Sequence, residues 1–310
     1  MTTSATLKKL PKKSLGRRWK ELRFPIFNGL VLCLLMFITL YPVLNTVAYS
    51  FNDGMDAVKG NIGIWPRVFS TEAYHSLLRD SAVYQAFWIS LSKTVIITLL
   101  NLFFTSMLAF ALSRKEYVLR RFITTVMVLT MYVNAGLIPN YLLISRTLGL
   151  SKSYWVYIIP TMFSCFNMIV IRTYIAGLPD ALVESAHIDG AGDLRAFFQI
   201  ILPLCLPVMA TVALFVAVGS WNSWFDTYLY NGSKKDLYTL QYLLKMKLAT
   251  TQNSAGAANA TADALTNTSK VAPITVRSAI TVVSAVPILV VYPFLQKYFV
   301  TGMALGSVKG

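Results

Sequence analysis

The sequence predicts an all-α, polytopic membrane protein with six transmembrane helices, and three observations carry that prediction. First, 55% of its 310 residues are hydrophobic and only 13% are charged, which leaves too little polar surface to coat a soluble fold of this size. Second, uncharged stretches occur at 24–52, 94–113, 122–145, 153–171, 196–225 and 278–296, each close to the roughly 20 residues that an α-helix needs to cross a hydrocarbon core. Lipid offers no partner to backbone N–H and C=O groups, and these runs are too long for tilted barrel strands, so helices are the expected solution. Third, Lys and Arg are distributed unevenly along the chain.

In chain order, residues 1–23 form a basic tail with eight cations (Lys8, Lys9, Lys12, Lys13, Arg17, Arg18, Lys20, Arg23) against Glu21. The positive-inside rule puts that tail in the cytoplasm. The first span, 24–52, is longer than a signal-peptide core and should remain as an anchor. An extracytoplasmic loop follows at 53–86. A core at 87–300 holds the other five spans and a loop at 178–200, and a tail at 301–310 closes the chain. Counting crossings places Arg114, Lys115, Arg120, Arg121, the 178–200 loop and both termini in the cytoplasm. The outer connections include an Ala, Asn, Thr and Ser run at 249–269, which reads as weakly ordered. The net charge of +15 concentrates beside span ends, where anionic head groups attract it, so membrane lipid is the implied partner and nucleic acid is not. Cys33, Cys165 and Cys205 fall in spans, without CxxC spacing, and read as packing residues. No P-loop or dinucleotide fingerprint is present. His75 and His187 are far apart and read as solvent-facing loop residues, and no metal-ligand cluster is visible.

The most specific pattern is Glu184-Ser-Ala-His-Ile-Asp-Gly190, then nine residues, then Ile200 and Leu202-Pro203. Pro179 suits a first helical turn, and Asp180 and Glu184 complement the positive end of that helix. Ala181 and Ser185 lie one turn apart, as do Ala186 and Gly190, so small side chains should let another protein approach closely. Gly190 and Gly192 should permit the chain to turn. A second helix should run from about Asp193 into the fifth span, with Pro203 marking its bend. By spacing alone, an amphipathic connector lying on the membrane explains the loop equally well.

This loop resembles the cytoplasmic signature of permease subunits of bacterial ABC importers, departing only at Ser185, where the family usually has Ala. Leu178-Pro179 through Asp189-Gly190-Ala191 to Leu202-Pro203, and Phe294-Leu-Gln-Lys297-Tyr-Phe to Lys309-Gly310, resemble the maltose-permease-like, sugar-uptake branch. The likeness runs from roughly Phe87 to the C-terminus. It implies a type I ABC importer permease fold in a bacterial cytoplasmic membrane. The implied partners are a second, homologous permease, an ATPase dimer and an extracytoplasmic solute-binding protein. ATP and Mg would be bound by the ATPase, leaving this chain neither cofactor nor enzymatic activity. Glu184, Ser185, Ala186, Asp189, Gly190, Ala191, Gly192, Leu202 and Pro203 would then couple the chain to the ATPase, and Glu184 would make polar contacts in the loop or with that subunit. The implied solute is a carbohydrate, with an oligosaccharide favoured. Two other classes remain, an ion-coupled secondary transporter and a membrane-embedded glycan-handling enzyme. The six stretches contain no acid and no visible repeat, which disfavours the first. The second lacks a cluster of acids or histidines.

For the solute path, Trp221, Asn222, Trp224 and Asp226 close the fifth span with aromatic faces beside amide and carboxylate groups, which sugars can use. An interfacial aromatic belt is the competing explanation. Asn167 and Arg172 either line a path or join helices. Lys93 is expected to snorkel from the outer end of the second span, the alternative being a watery cavity. For an acidic solute, Lys93 and Arg277 are the cations to test. Pro139, Pro287 and Pro293 are expected to kink the third and sixth spans.

Overall fold

A computed structural model describes the backbone of residues 15–133, 135–256 and 272–307, and side chains within 24–133, 135–249 and 272–293. Among these residues the chain is helical without a strand; its β pairing is an isolated bridge between Asn52 and Phe69. Three helices are long and apolar enough to cross a membrane: Phe24–Ser50, Ser81–Ser113 and Pro273–Pro293. Three bent pairs raise the count to six when each pair is one span.

The first span lies in α1 (Leu15–Ser50), and none of its most apolar window is buried. Phe24, Phe27 and Leu30 remain exposed, as lipid allows. Helices α2 (Gly54–Val58) and α3 (Glu72–Arg79) follow. Asn52 ties α2 to the segment before α3: its Oδ1 accepts from Arg67 N (2.8 Å) and Val68 N (3.1 Å), and its Nδ2 donates to Asp56 Oδ2 (3.0 Å). The second span, α4 (Ser81–Ser113), begins well before the expected residue 94. The uncharged stretch stopped at Lys93, but that lysine sits inside the helix with a buried side chain, so the nearest charge did not mark the helix end.

The third to fifth spans are broken where the sequence predicts continuity. Helix α5 (Arg120–Tyr132) ends, and α6 (Leu137–Leu142) follows Gly136, which has φ +90. Pro139 therefore lies in the first turn of α6 and starts a helix instead of kinking one, because no intrahelical acceptor awaits its missing N–H there. The fourth span opens with tight 3-10 turns at Tyr154–Tyr157 and Ile159–Thr161 and becomes α-helical only at α7 (Cys165–Ile175), bent by 43°. After α8 (Ala181–Ile188) come α9 (Asp193–Ala196), a π turn at Phe197–Ile201, α10 (Leu202–Leu204) and α11 (Leu206–Asn222). The chain bends by 79° before α11. Pro203 lies in α10 and Pro207 in the first turn of α11, so the break falls at Cys205, two residues past the expected place. Helices α12 (Phe225–Asn231) and α13 (Leu240–Gly256) precede α14 (Pro273–Ser307), which continues through Pro287 and Pro293. Of the 249–269 run, 249–256 is helical and the remainder lies outside the described residues. So do residues 1–14 and the side chains of 294–310, including Lys297 and Lys309.

Helix α4 is the axis of the bundle, packing on α7 and α11, while α14 packs on α11 and α1. One core joins Ala109 and Leu112 of α4, Met168 and Ile171 of α7, and Phe197 and Val212. Small residues on α4, such as Ala109 and Ser106, allow the close approach that replaces a hydrophobic driving force in lipid. A second core at the opposite end joins Leu77, Ala86, Trp221, Leu240 and Ile280. The three cysteines are free. Cys205 is buried, Cys165 donates to Met127 O (3.0 Å) and Cys33 is exposed on α1, so only Cys205 fully matches the packing role expected of all three.

Candidate functional site

The 178–200 loop forms one compact end of the bundle. Its first turn opens at Pro179, whose carbonyl accepts from Leu182 N (3.2 Å). Asp180 follows, but its carboxylate does not cap α8; it accepts from Lys115 Nζ at 2.6 Å, tying the loop to the turn after α4. That hydrogen bond and the lysine's charge hold the Asp180 carboxyl below its ordinary range, and the same contact raises the Lys115 ammonium. The depressed carboxyl favours folding above its unfolded value of about 3.9 and loses that effect as pH falls through its folded value. The raised ammonium contributes below about 10.4 and is lost as pH rises through its folded value. Between about pH 5 and 9 the pair is intact. Both groups are largely exposed, so Asp180→Asn is expected to leave the thermal unfolding midpoint in detergent unchanged across that window. A second tie is stronger in character: Arg172 Nε donates to Leu112 O at 3.0 Å, using a carbonyl in the last turn of α4.

Gly190 has φ +79, which L side chains rarely adopt, and the turn closes through Gly190 N to His187 O (3.0 Å) and Ala191 N to Ala186 O (2.9 Å). Gly192 has φ −77, so the expectation that it too is required for the turn is corrected: any residue adopts that backbone. The small residues also divide differently from expectation. Ala181 and Ser185 face outward, whereas Ala186 is buried with Val183 in the core, and Ala191 packs against it. Glu184 and Asp189 are exposed. Leu202 is half-buried on the core and Pro203 is exposed. Residue types did not signal that Ile188 is 87% exposed and Leu194 66% exposed, on either side of the glycine turn. His187, exposed but helical, places Nε2 3.3 Å from Asp193 Oδ1 across that turn; His75 is likewise exposed on α3, so neither is a loop residue.

A half-open pocket of about 320 Å³, with polar side chains on a largely apolar wall, lies between α4, the 3-10 turns, α7, α11 and α12. Lys93 lies buried in its wall. The expectation that Lys93 snorkels is corrected: it is 1% exposed, with Nζ 3.4 Å from Ser223 O and 5.1 Å from the Tyr157 ring centre. Asp226 lines the same cavity and accepts from Ser223 Oγ at 2.5 Å. Asn167 also lines it, and its Nδ2 donates to Asn101 Oδ1 (3.2 Å) while Asn101 donates to Thr161 O (3.0 Å). The broken fourth span exposes that carbonyl. Sequence reasoning missed Asn101, Tyr157 and Ser220, which also line the cavity; each is a polar residue on an apolar helix or turn, a signal available before the fold was known.

The rest of the expected path lies elsewhere. Trp221 is 4% exposed, donates Nε1 to Ser284 O (2.8 Å) and meets Phe87 edge-on at 5.9 Å. It is a joint between α11, α4 and α14 and lies apart from the pocket that Lys93 lines. Asn222 bonds to Val218 O and to Gln241, and Trp224 stacks under Lys245 Nζ at 4.9 Å; neither lines the cavity. Arg277, in the second turn of α14, is half-buried and also apart from the cavity, so it is not brought together with Lys93.

Residues 102–305 match the family model described as the binding-protein-dependent transport system inner membrane component, and the chain belongs to that family. It is a multi-pass protein of the cytoplasmic membrane, a sugar ABC transport permease by family and not an enzyme. Its relatives include the polygalacturonan/rhamnogalacturonan transport system permease protein YtcP of Bacillus subtilis (strain 168), 37% identical over 89% of this chain and 96% of that protein. The arabinooligosaccharides transport system permease protein AraQ of Halalkalibacterium halodurans is 26% identical over 88% of this chain and 92% of its own length. A crystal structure of a bacterial ABC transporter involved in import of the acidic polysaccharide alginate superposes with TM-score 0.81 at 29% identity, covering 94% of this chain and all of the matched chain.

Proposed function

We propose that this chain is one of two permease subunits of an ATP-driven importer that carries an oligosaccharide, and that residues 178–200 seat on a separate ATPase. The exposed helix with its Gly190 turn carries this reading. Ile188 and Leu194 offer apolar contacts around a turn that lacks a side chain, while Ala186 and Val183 root the helix in the core. Motion of the loop would pass to α4 through Arg172 and to α11 through Phe197. The basic tail supports cytoplasmic termini. ATP and Mg would reside in the ATPase pair, and an extracytoplasmic binding protein would deliver the solute. ATP binding would favour one orientation of the cavity and hydrolysis the other, through differential affinity for the two states. Relatives named for polygalacturonan and arabinooligosaccharide transport, and the alginate importer, support a saccharide solute.

Purification of the detergent-solubilised complex from its own cell is expected to recover a P-loop ATPase, and reconstituted vesicles should accumulate oligosaccharide only with ATP. Uptake by this chain alone, driven by an ion gradient, would refute the proposal.

A further inference from the structure

We infer that the loop tip at residues 63–66 is a membrane anchor, with Ile64 and Trp65 set into the lipid at the C-terminal end of the first span. Depth carries this inference. The span covers Phe24–Ser50, 27 residues, which is about 40 Å of helix against a hydrocarbon core of about 30 Å. A core centred on the span ends at about Val47, so Asn45 lies about 3 Å inside its edge. An amide at that depth needs partners, and Asn45 Nδ2 donates to Ile62 O at 2.6 Å and to Gly63 O at 2.9 Å. The chain after α2 therefore folds back along α1 to the hydrocarbon boundary instead of standing clear in water. Ile62, buried with Ala48 and Ala57, holds it there. Beyond the tip the chain rises again, where Asp53 N donates to Val68 O (2.8 Å) and Ser70 N to Phe51 O (2.8 Å).

The chemistry of the tip suits that level. Trp65 is 78% exposed and Ile64 is exposed beside it, at the height where α1 exposes Val43 and Leu44 to lipid. A tryptophan at the head groups puts its apolar body into hydrocarbon and keeps its N–H wet. The polar groups around it are already placed. The carbonyls of Ile62 and Gly63 accept from Asn45, and Pro66 has no N–H. Arg67 turns away from the tip, its Nε donating to Asp56 Oδ2 at 3.0 Å and a terminal nitrogen to Gly60 O at 2.6 Å. A soluble protein would have to enter the head-group layer to reach Trp65. The anchor also answers a need of α1, which packs on α14 but buries none of its most apolar window. Where helix packing is sparse, interfacial aromatic residues set the depth and tilt of a span. With the N-terminal tail cytoplasmic, as proposed above, the lipid is that of the outer leaflet; the depth itself does not depend on that orientation or on the solute.

The test is fluorescence quenching of the protein, purified with its partners, in nanodiscs of phosphatidylcholine brominated near the head-group end of its acyl chains, against the same lipid without bromine. The chain has six tryptophans, so the Trp65 signal is the emission of the unaltered protein minus that of Trp65→Phe. That difference is expected to be blue-shifted and to lose most of its intensity in the brominated lipid, and addition of a solute-binding protein should change neither. Recovery of Trp65→Phe with the same partners reports intact folding. Hydroxyl-radical footprinting of the unaltered complex needs no variant, so a misfolded Trp65→Phe does not spoil the test: Trp65 should be as protected as Phe27 in the middle of the lipid-facing helix surface. Emission typical of tryptophan in water without bromine quenching, or strong oxidation of Trp65, overturns the inference. So does a blue-shifted signal that bromine leaves intact, because protein then covers the tip. If that shift appears only when the solute-binding protein is added, the tip is a docking site for that protein and not a lipid anchor.

Discussion

Gly190→Asp is expected to insert normally yet lose solute-stimulated ATP hydrolysis by about tenfold or more. The two halves of that expectation have separate causes. Within the chain the substitution is mild. A β-carbon at Gly190 meets nothing within 4 Å, and although φ +79 costs most L-residues roughly 1–2 kcal/mol, Asp is among the few that visit this region. Against a partner it is severe. The turn lies between exposed Ile188 and Leu194, so a seated subunit would have to desolvate a new carboxylate beside Asp189 and Asp193. Gly192→Ala is the control, since φ −77 suits any residue and its β-carbon also meets nothing within 4 Å. It should keep stimulation within about twofold, as surface substitutions usually do. If Gly190→Asp retains full stimulation in assembled transporter, residues 178–200 do not form the seat.

The sequence made the fold class and the loop legible for one reason: both depend on what side chains avoid. Charges avoid lipid, so uncharged runs reported the spans, and glycine at a positive φ avoids substitution, so Gly190 marked its turn. What stayed hidden depends on what side chains meet. Lys93 read as a helix end because an isolated lysine in an apolar run costs too much to bury, until the fold supplies Ser223, Tyr157 and a cavity. The breaks in the third and fourth spans were hidden too. Pro139 and Pro160 each sit at the start of a short helical segment, and the sequence alone does not distinguish a proline that starts a helix from one that kinks it. The freed Thr161 carbonyl only shows its use once Asn101 is beside it.

Trp221 illustrates the same gap and yields the second large effect: Trp221→Ala is expected to destabilise the protein by about 3–5 kcal/mol, the usual cost of truncating a buried aromatic residue. Three losses combine. The ring leaves a void among Leu243, Leu244 and Ile280; the edge-on contact with Phe87, worth about 0.5–1.5 kcal/mol, disappears; and Ser284 O loses its indole donor at 2.8 Å. Trp221→Phe separates these contributions, because it keeps most of the ring volume and removes the N–H, for which about 0.6–1.7 kcal/mol is expected inside a membrane bundle. Thermal unfolding in lipid nanodiscs, with both variants beside the unaltered protein, measures the order Ala well below Phe, and Phe slightly below Trp. A sugar-facing tryptophan would behave oppositely. Its loss would spare the unfolding midpoint and weaken saccharide binding, and that outcome would return Trp221 to the solute path from which its burial removes it.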